Sequence, residues 1–382
     1  MKTVGIIAEY NPFTLGHKYH LAACGESRRI AVMSGNFVQR GEPAFFDKHT
    51  RAAAAVKNGV DLVIELPVSY SIASAEKFAY GSVFILNALG ICDELCFGSE
   101  TADMGVLEYT AYAASNIAPD EIKAKLREGV SFARARAEVL REKEVFIPEK
   151  PNDILAVEYL KALKKTGSTM KPRAILRKGP YHGTGKGFYG ASAVRELFNS
   201  ENRFSAAKHV PENVFENIQN LYEKGQAPAN IKNAERAVLY FLRTASAKTL
   251  SSFYGINEGL EFRIKKAADE SVSIEELYER IKSKRYTMSA VKRAVLACFL
   301  QIRKNDLDPP YIRVLAQNKT GTEILKQAKK TATLPIVHRL AKIAQEDPFA
   351  EEEIRASNLY ALCLPQIQKS FSDLMNKNEI II

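Results

Sequence analysis

A chain of 382 residues, 46% hydrophobic and 26% charged, has the composition of a globular protein with room for two cores, which excludes a low-complexity or fibrous chain. Its apolar runs fall short of the roughly 18 residues that a bilayer crossing needs, and Glu9 and Asn11-Pro12 interrupt the region where a signal peptide would carry its apolar stretch, so a cytoplasmic protein that meets no membrane is expected. Lys and Arg number 54 against 44 for Asp and Glu, a formal charge of +10, which favours a polyanionic partner without naming one.

Residues 3–8 form a short, uncharged, β-branched run, the pattern of a buried parallel strand. Asn11-Pro12 ends it, because proline lacks a donor and biases its predecessor away from the helix. From Leu15 the pattern is helical, entered through Gly16, with Leu21 and Ala22 on one face and His17 and His20 on another. Strand, polar turn and helix together gather backbone N–H groups and an imidazole at a helix start, a setting for an anion, with phosphate the first candidate.

A second strand is expected over 29–33. The turn-rich stretch Gln39-Arg40-Gly41-Glu42-Pro43 follows its carboxyl end, where doubly wound sheets bind ligands. Asp47 is a helix cap for 48–58, and 61–66 reads as a third strand. A helix over 71–89 leads to a fourth strand over 93–97, closed by Gly98-Ser99-Glu100. Helices follow over 104–114, 120–143 and 154–165, the last capped by Asn152 or Asp153, then a fifth strand over 172–176 that runs into Arg177. Strands alternating with helices predict an α/β fold, a Rossmann-like doubly wound parallel sheet, for residues 1–200.

Past Asn199 only helices are expected: 214–224, 234–246, 260–270, 273–282, 289–303, 321–329, 337–345 and 350–362. Residues 201–382 are therefore read as a mainly α-helical C-terminal domain. Its basic clusters, Lys282, Lys284, Arg285, Lys292 and Arg293 in one region and Lys319, Lys326, Lys329 and Lys330 in another, suit solvated helix faces or a track for a phosphate backbone.

The five cysteines are scattered. Cys92 and Cys96 stand in a C-x-x-x-C spacing with no second ligand pair, so they read as buried thiols and no metal site is expected. No G-x-G-x-x-G follows the first strand. Gly183-Thr184-Gly185-Lys186-Gly187 is a poor P-loop, because Pro180 stands where its first glycine belongs and Gly187 where Ser or Thr should follow the lysine.

Thr14-Leu15-Gly16-His17 resembles the H-x-G-H signature of the adenylate-forming nucleotidyltransferases. Ser192-Ala193-Val194-Arg195 resembles the second signature of that superfamily, a Ser at a helix start with a basic residue one turn on. Longer blocks sharpen the likeness. Residues 5–13 (GIIAEYNPF), 33–43 (MSGNFVQRGEP), 61–67 (DLVIELP), 97–100 (FGSE) and Pro151-Asn152 with Ile154-Leu155-Ala156 are similar to the bacterial tRNA(Met) cytidine acetate ligase family.

That resemblance implies an enzyme that uses ATP, with Mg²⁺, to convert acetate to acetyl-adenylate and then acetylates N4 of the wobble cytidine of elongator tRNA(Met). It implies catalytic roles for His17, Ser192 and Arg195. Nucleotide contacts would come from Ile7, Ala8, Glu9, Tyr10, Asn11, Gly16, His17, His20, Gly98, Asn152 and Arg177. One departure stands out: the first histidine of the signature is Thr14 here. Two other readings remain open at this point, adenylylation of another small substrate and a catalytically weak RNA-binding protein.

Overall fold

The computed structural model describes residues 1–179, 187–257, 259–370, 372–375 and 379–380; the P-loop-like stretch up to Lys186 lies outside them. Five parallel strands form the centre of one sheet in the order Leu62–Leu66, Ser27–Ser34, Lys2–Ala8, Glu94–Ser99, Lys171–Leu176. This is the doubly wound order, and its topological switch point lies between the first strand, Lys2–Ala8, and its neighbour Glu94–Ser99. The carboxyl ends of these two strands frame a crevice in any such sheet.

Side-chain alternation along each strand fills both faces. Ile30, Val32, Leu95 and Phe97 pack on one side with the helices Ala75–Ala88 and Pro151–Lys165. Ala31, Met33, Ile6 and Cys96 pack on the other with Leu15–Ala23, Lys48–Lys57 and Ala191–Phe198. A third core joins the helices Glu235–Thr244, Leu260–Glu270, Ile274–Ile281 and Met288–Leu300 to Pro348–Tyr360.

Strands do not stop at Asn199. Ile312–Gln317 pairs antiparallel with Leu62–Leu66, and Ile336–Val337 and Glu379–Ile380 pair parallel with it. Arg313 disguises this fully buried run in the sequence, because a charge in mid-strand is tolerated inside only when paired. It is paired here: Arg313 meets Glu65 and Asp373, both at 2.5 Å, while Lys48 Nζ lies 2.6 Å from Glu65 and 2.7 Å from Asp373. Ser357 Oγ donates to Asp373 at 2.9 Å. This buried network ties the sheet to Pro348–Tyr360 and to the short helix Ser372–Met375. Lys48 and Arg313 hold the Asp373 carboxyl well below its usual range against the effect of burial. Burial and Glu65 push Glu353, at the edge of the network, well above its own.

Three helices also differ from the pattern read in sequence. The span 120–143 is two helices, Pro119–Arg127 and Phe132–Glu142, separated at Gly129, whose φ of 78° ends the first, and restarted by the Ser131 cap. The span 71–89 is a turn of helix, Val68–Ser71, and then Ala75–Ala88 behind the Ser74 cap. The expected helix 337–345 is only a 3-10 turn, Leu340–Lys342, after the strand Ile336–Val337.

Candidate functional site

A cleft of about 270 Å³ opens at the switch point. Every residue singled out in the sequence lines it: Ile7, Ala8, Glu9, Tyr10, Asn11, Gly16, His17, His20, Gly98, Asn152, Arg177, Ser192 and Arg195. Residues far apart in the chain meet because the carboxyl ends of Lys2–Ala8, Glu94–Ser99 and Lys171–Leu176 are adjacent, and the helices at Leu15 and Ala191 begin beside them.

Thr14 organises the first helix start. It is the N-cap, 2% exposed, and its hydroxyl oxygen accepts from the His17 N–H at 3.4 Å while the Thr14 N–H donates to His17 Nδ1 at 2.9 Å. The two residues form a reciprocal capping box. Because Nδ1 accepts an amide hydrogen, the neutral ring carries its proton on Nε2. Burial, helped by Arg177 and His20, lowers the His17 pKa to about 3, so the imidazole is a neutral donor at pH 7. Its edge packs against Tyr10 at 5.1 Å between ring centroids. Tyr10 itself holds a left-handed backbone, φ 45°, an unfavourable setting for a large side chain that surrounding contacts must maintain.

Arg195 joins the two helix starts. Its Nη1 donates to the Asn11 carbonyl at 2.6 Å and its Nη2 to Ser192 Oγ at 3.2 Å. The helix Ala191–Phe198 has Gly190 as its N-cap and no side-chain cap. As at any helix start, its first N–H groups have no carbonyl one turn back, and Gly190, Ala191 and Ser192 line the cleft. Arg40, Arg177 and Lys178 add positive charge, and among the described lining residues Glu9 is the carboxylate that opposes it. Glu9 Oε1 already accepts from the Gln39 N–H at 2.8 Å. The site is built for an anion with several oxygens.

Asn152 is not the helix cap that its sequence position suggests. The helix starts at Pro151 behind Lys150, and Asn152 Nδ2 donates to Glu100 Oε1 at 2.6 Å. Asp153 instead closes the turn after Glu94–Ser99, accepting from the Glu100 and Thr101 N–H groups at 2.9 and 3.1 Å. His20 Nε2 lies 3.6 Å from Cys96 Sγ. Burial, with Arg177 and Arg173, lowers its pKa to about 4.

A family model described as HIGH Nucleotidyl Transferase matches residues 1–374. A tRNA(Met) cytidine acetate ligase of Thermoanaerobacter sp. (strain X514) is 39% identical over 388 residues, with 95% of each chain covered. The chain belongs to the tRNA(Met) cytidine acetate ligase family. Membership makes it a ligase on a nucleotidyltransferase fold. Two crystal structures of Thermotoga maritima TmcAL, one bound with alpha-thio ATP and one apo, match it over 100% of both chains. Their TM-scores are 0.89 and 0.91, at 33% and 32% identity.

Several residues of this family member's cleft lie outside the two short signatures. Gln39 and Arg40 line it from the ribbon that pairs Phe37–Val38 with Glu42–Pro43. Their position after a strand's carboxyl end is the clue that points to them. Gly41 makes the ribbon's turn at φ 77°, and a Cβ there would lie 2.6 Å from the Arg293 backbone nitrogen, so the ribbon sits directly on the helix Met288–Leu300. Tyr189 also lines the cleft, stacked on His209 with centroids 3.8 Å apart. Only the fold makes that pair visible.

Proposed function

We propose that this cleft binds ATP, activates acetate as acetyl-adenylate and delivers the acetyl group to N4 of the wobble cytidine of elongator tRNA(Met). The observation that carries the reading is the convergence of two helix starts on one electropositive cleft, with Arg195 bridging them through Asn11 and Ser192. The alpha-thio ATP named for the Thermotoga maritima structure supports a nucleotide as the ligand.

In this reading the triphosphate lies across the starts of Leu15–Ala23 and Ala191–Phe198, and an acetate oxygen attacks the α-phosphorus in line as pyrophosphate leaves. Negative charge grows on the phosphoryl oxygens, and the fixed N–H groups, the His17 Nε2–H and Arg195 stabilise it without reorganising. Arg177, Gly98, Asn152 and Ile7 hold the nucleoside end. The cytidine amine then attacks the acetyl carbonyl, AMP departs and the amine loses a proton; proximity supplies much of this step. Mg²⁺ enters with the triphosphate as part of the substrate, since Glu9 is the one carboxylate among the described lining residues and is already engaged.

The position of the basic clusters favours one of them for the tRNA. Met288–Leu300, which carries Lys292 and Arg293, packs under the Gly41 ribbon whose Gln39 and Arg40 line the cleft, and Lys292 pairs with Glu42 at 2.5 Å. The other cluster lies on Lys319–Thr331, beside Asp61 and Arg28 at the amino ends of the strands, on the far side of the sheet from the cleft. A tRNA substrate also places the enzyme in the cytoplasm. The direct test is exchange of labelled pyrophosphate into ATP: dependence on acetate supports the reading, and no exchange with acetate removes it.

A further inference from the structure

At the wall of the cleft, which His20 lines, three donors meet that the reaction above does not use. His20 and Cys24 stand one helical turn apart at the end of Leu15–Ala23, which puts both on one face. Cys96 faces them from the strand Glu94–Ser99, in register with Ile6 of the first strand. Cys24 Sγ lies 3.3 Å from Cys96 Sγ, and Cys96 Sγ lies 3.6 Å from His20 Nε2. The three donor atoms all fall within 4.8 Å of one another.

Tetrahedral zinc, with bonds of about 2.3 Å to sulfur and about 2.0 Å to nitrogen, sets ligand atoms about 3.8 Å apart for sulfur–sulfur and about 3.6 Å for sulfur–nitrogen. The Cys96–His20 spacing is therefore already present, and the two sulfurs need to part by about half an ångström. Both cysteines are buried, Cys24 at 4% and Cys96 at 0% exposure, so an approaching metal competes with little water. Arg29, Arg173 and Glu94 lie within electrostatic range of Cys24 Sγ. The Tyr10 hydroxyl, buried without a hydrogen-bond partner, lies within electrostatic range of the same sulfur. Cys92, the partner that the C-x-x-x-C spacing offers, is not part of the group.

We propose that His20, Cys24 and Cys96 form a three-ligand site for a thiophilic divalent cation, zinc foremost, with water in the fourth position. Two thiolates and a neutral imidazole balance the ion's charge, and binding exchanges two thiol protons for the metal. The ion pins the first helix to the strand on the other side of the switch point, fixing the two elements between which the cleft opens. The site stands independently of the reaction proposed above.

The test is titration of the full-length, fully reduced chain with Co²⁺ as a spectroscopic stand-in. The expected result is one equivalent per chain, with a thiolate-to-cobalt charge-transfer band and the intense d–d bands of a tetrahedral ion, both bleached by Zn²⁺. Cys24→Ser and Cys96→Ser each weaken the charge-transfer band, and Cys92→Ser leaves it unchanged. Absence of the band in the native chain overturns the proposal, whatever the variants do. So does a band that survives in the Cys24→Ser/Cys96→Ser double variant.

Discussion

His17 has two separable duties, and two substitutions pull them apart. Its Nδ1 accepts the Thr14 N–H at 2.9 Å, which is a matter of stability. In the proposed reaction its Nε2–H is the group offered to the phosphate, which is a matter of rate. His17→Ala removes both: the Thr14 amide is left unpaired in a buried turn, at a cost of about 1–2 kcal/mol, and a preorganised donor is lost, at a cost of about 10²–10³ in rate, or about 3–4 kcal/mol. His17→Asn offers an oxygen to the Thr14 N–H but does not reach as far as Nε2, so the cap survives and the donor does not. Denaturant unfolding and acetate-dependent pyrophosphate exchange, measured on both variants, should show Ala destabilised and slow, and Asn near wild-type in stability but equally slow. An Asn variant with wild-type exchange would refute the role given to Nε2. An Ala variant with unchanged stability would refute the capping box.

Arg195→Lys keeps the charge but cannot donate to Asn11 and Ser192 from one planar head; exchange should fall at least tenfold, and an unchanged rate would detach Arg195 from the phosphate site. The His17 ring titrates at about 3 in the folded chain against about 6.5 unfolded, so below pH 6.5 the unfolded chain binds the extra proton. Stability is thus full above pH 6.5 and falls as pH drops from there toward 3, by about 2 kcal/mol at pH 5. His17→Asn should flatten that slope in pH-dependent unfolding, and a wild-type slope in the variant would contradict the assignment. Asp373→Asn removes the carboxylate that Lys48 and Arg313 share and should cost about 3–5 kcal/mol in denaturant unfolding; an unmoved midpoint would show the network idle. Reversing Lys284 and Arg285 to Glu should weaken tRNA binding and lower its salt dependence, whereas reversing Lys326 and Lys329 should not; the opposite pattern would move the RNA to the far side.

The five parallel strands can be read from the sequence because each is a short apolar run between polar turns, and at the doubly wound switch point such turns must meet. The strand pattern gives the place where the cleft opens; it is the resemblance to the ligase family that implies residues as distant as Glu9, Gly98 and Ser192 belong to it. Ile312–Gln317 cannot be read the same way. Its partner Leu62–Leu66 lies some 250 residues earlier, and the charge that hides it, Arg313, is neutralised by Glu65 and Asp373 from two other parts of the chain. Thr14 looks in sequence like a lost histidine; in the fold it is the cap that orients the histidine that remains. The pairing of Cys24 with Cys96 is invisible for the same reason as Arg313: a contact across 72 residues leaves no spacing to recognise.

The account rests most heavily on the cleft being an acetate-activating ATP site. Exchange of labelled pyrophosphate into ATP, run with the purified chain and no tRNA, tests this directly. Exchange that requires acetate and collapses in His17→Asn and Arg195→Lys is the expected result. Exchange indifferent to acetate, or absent altogether, would contradict it.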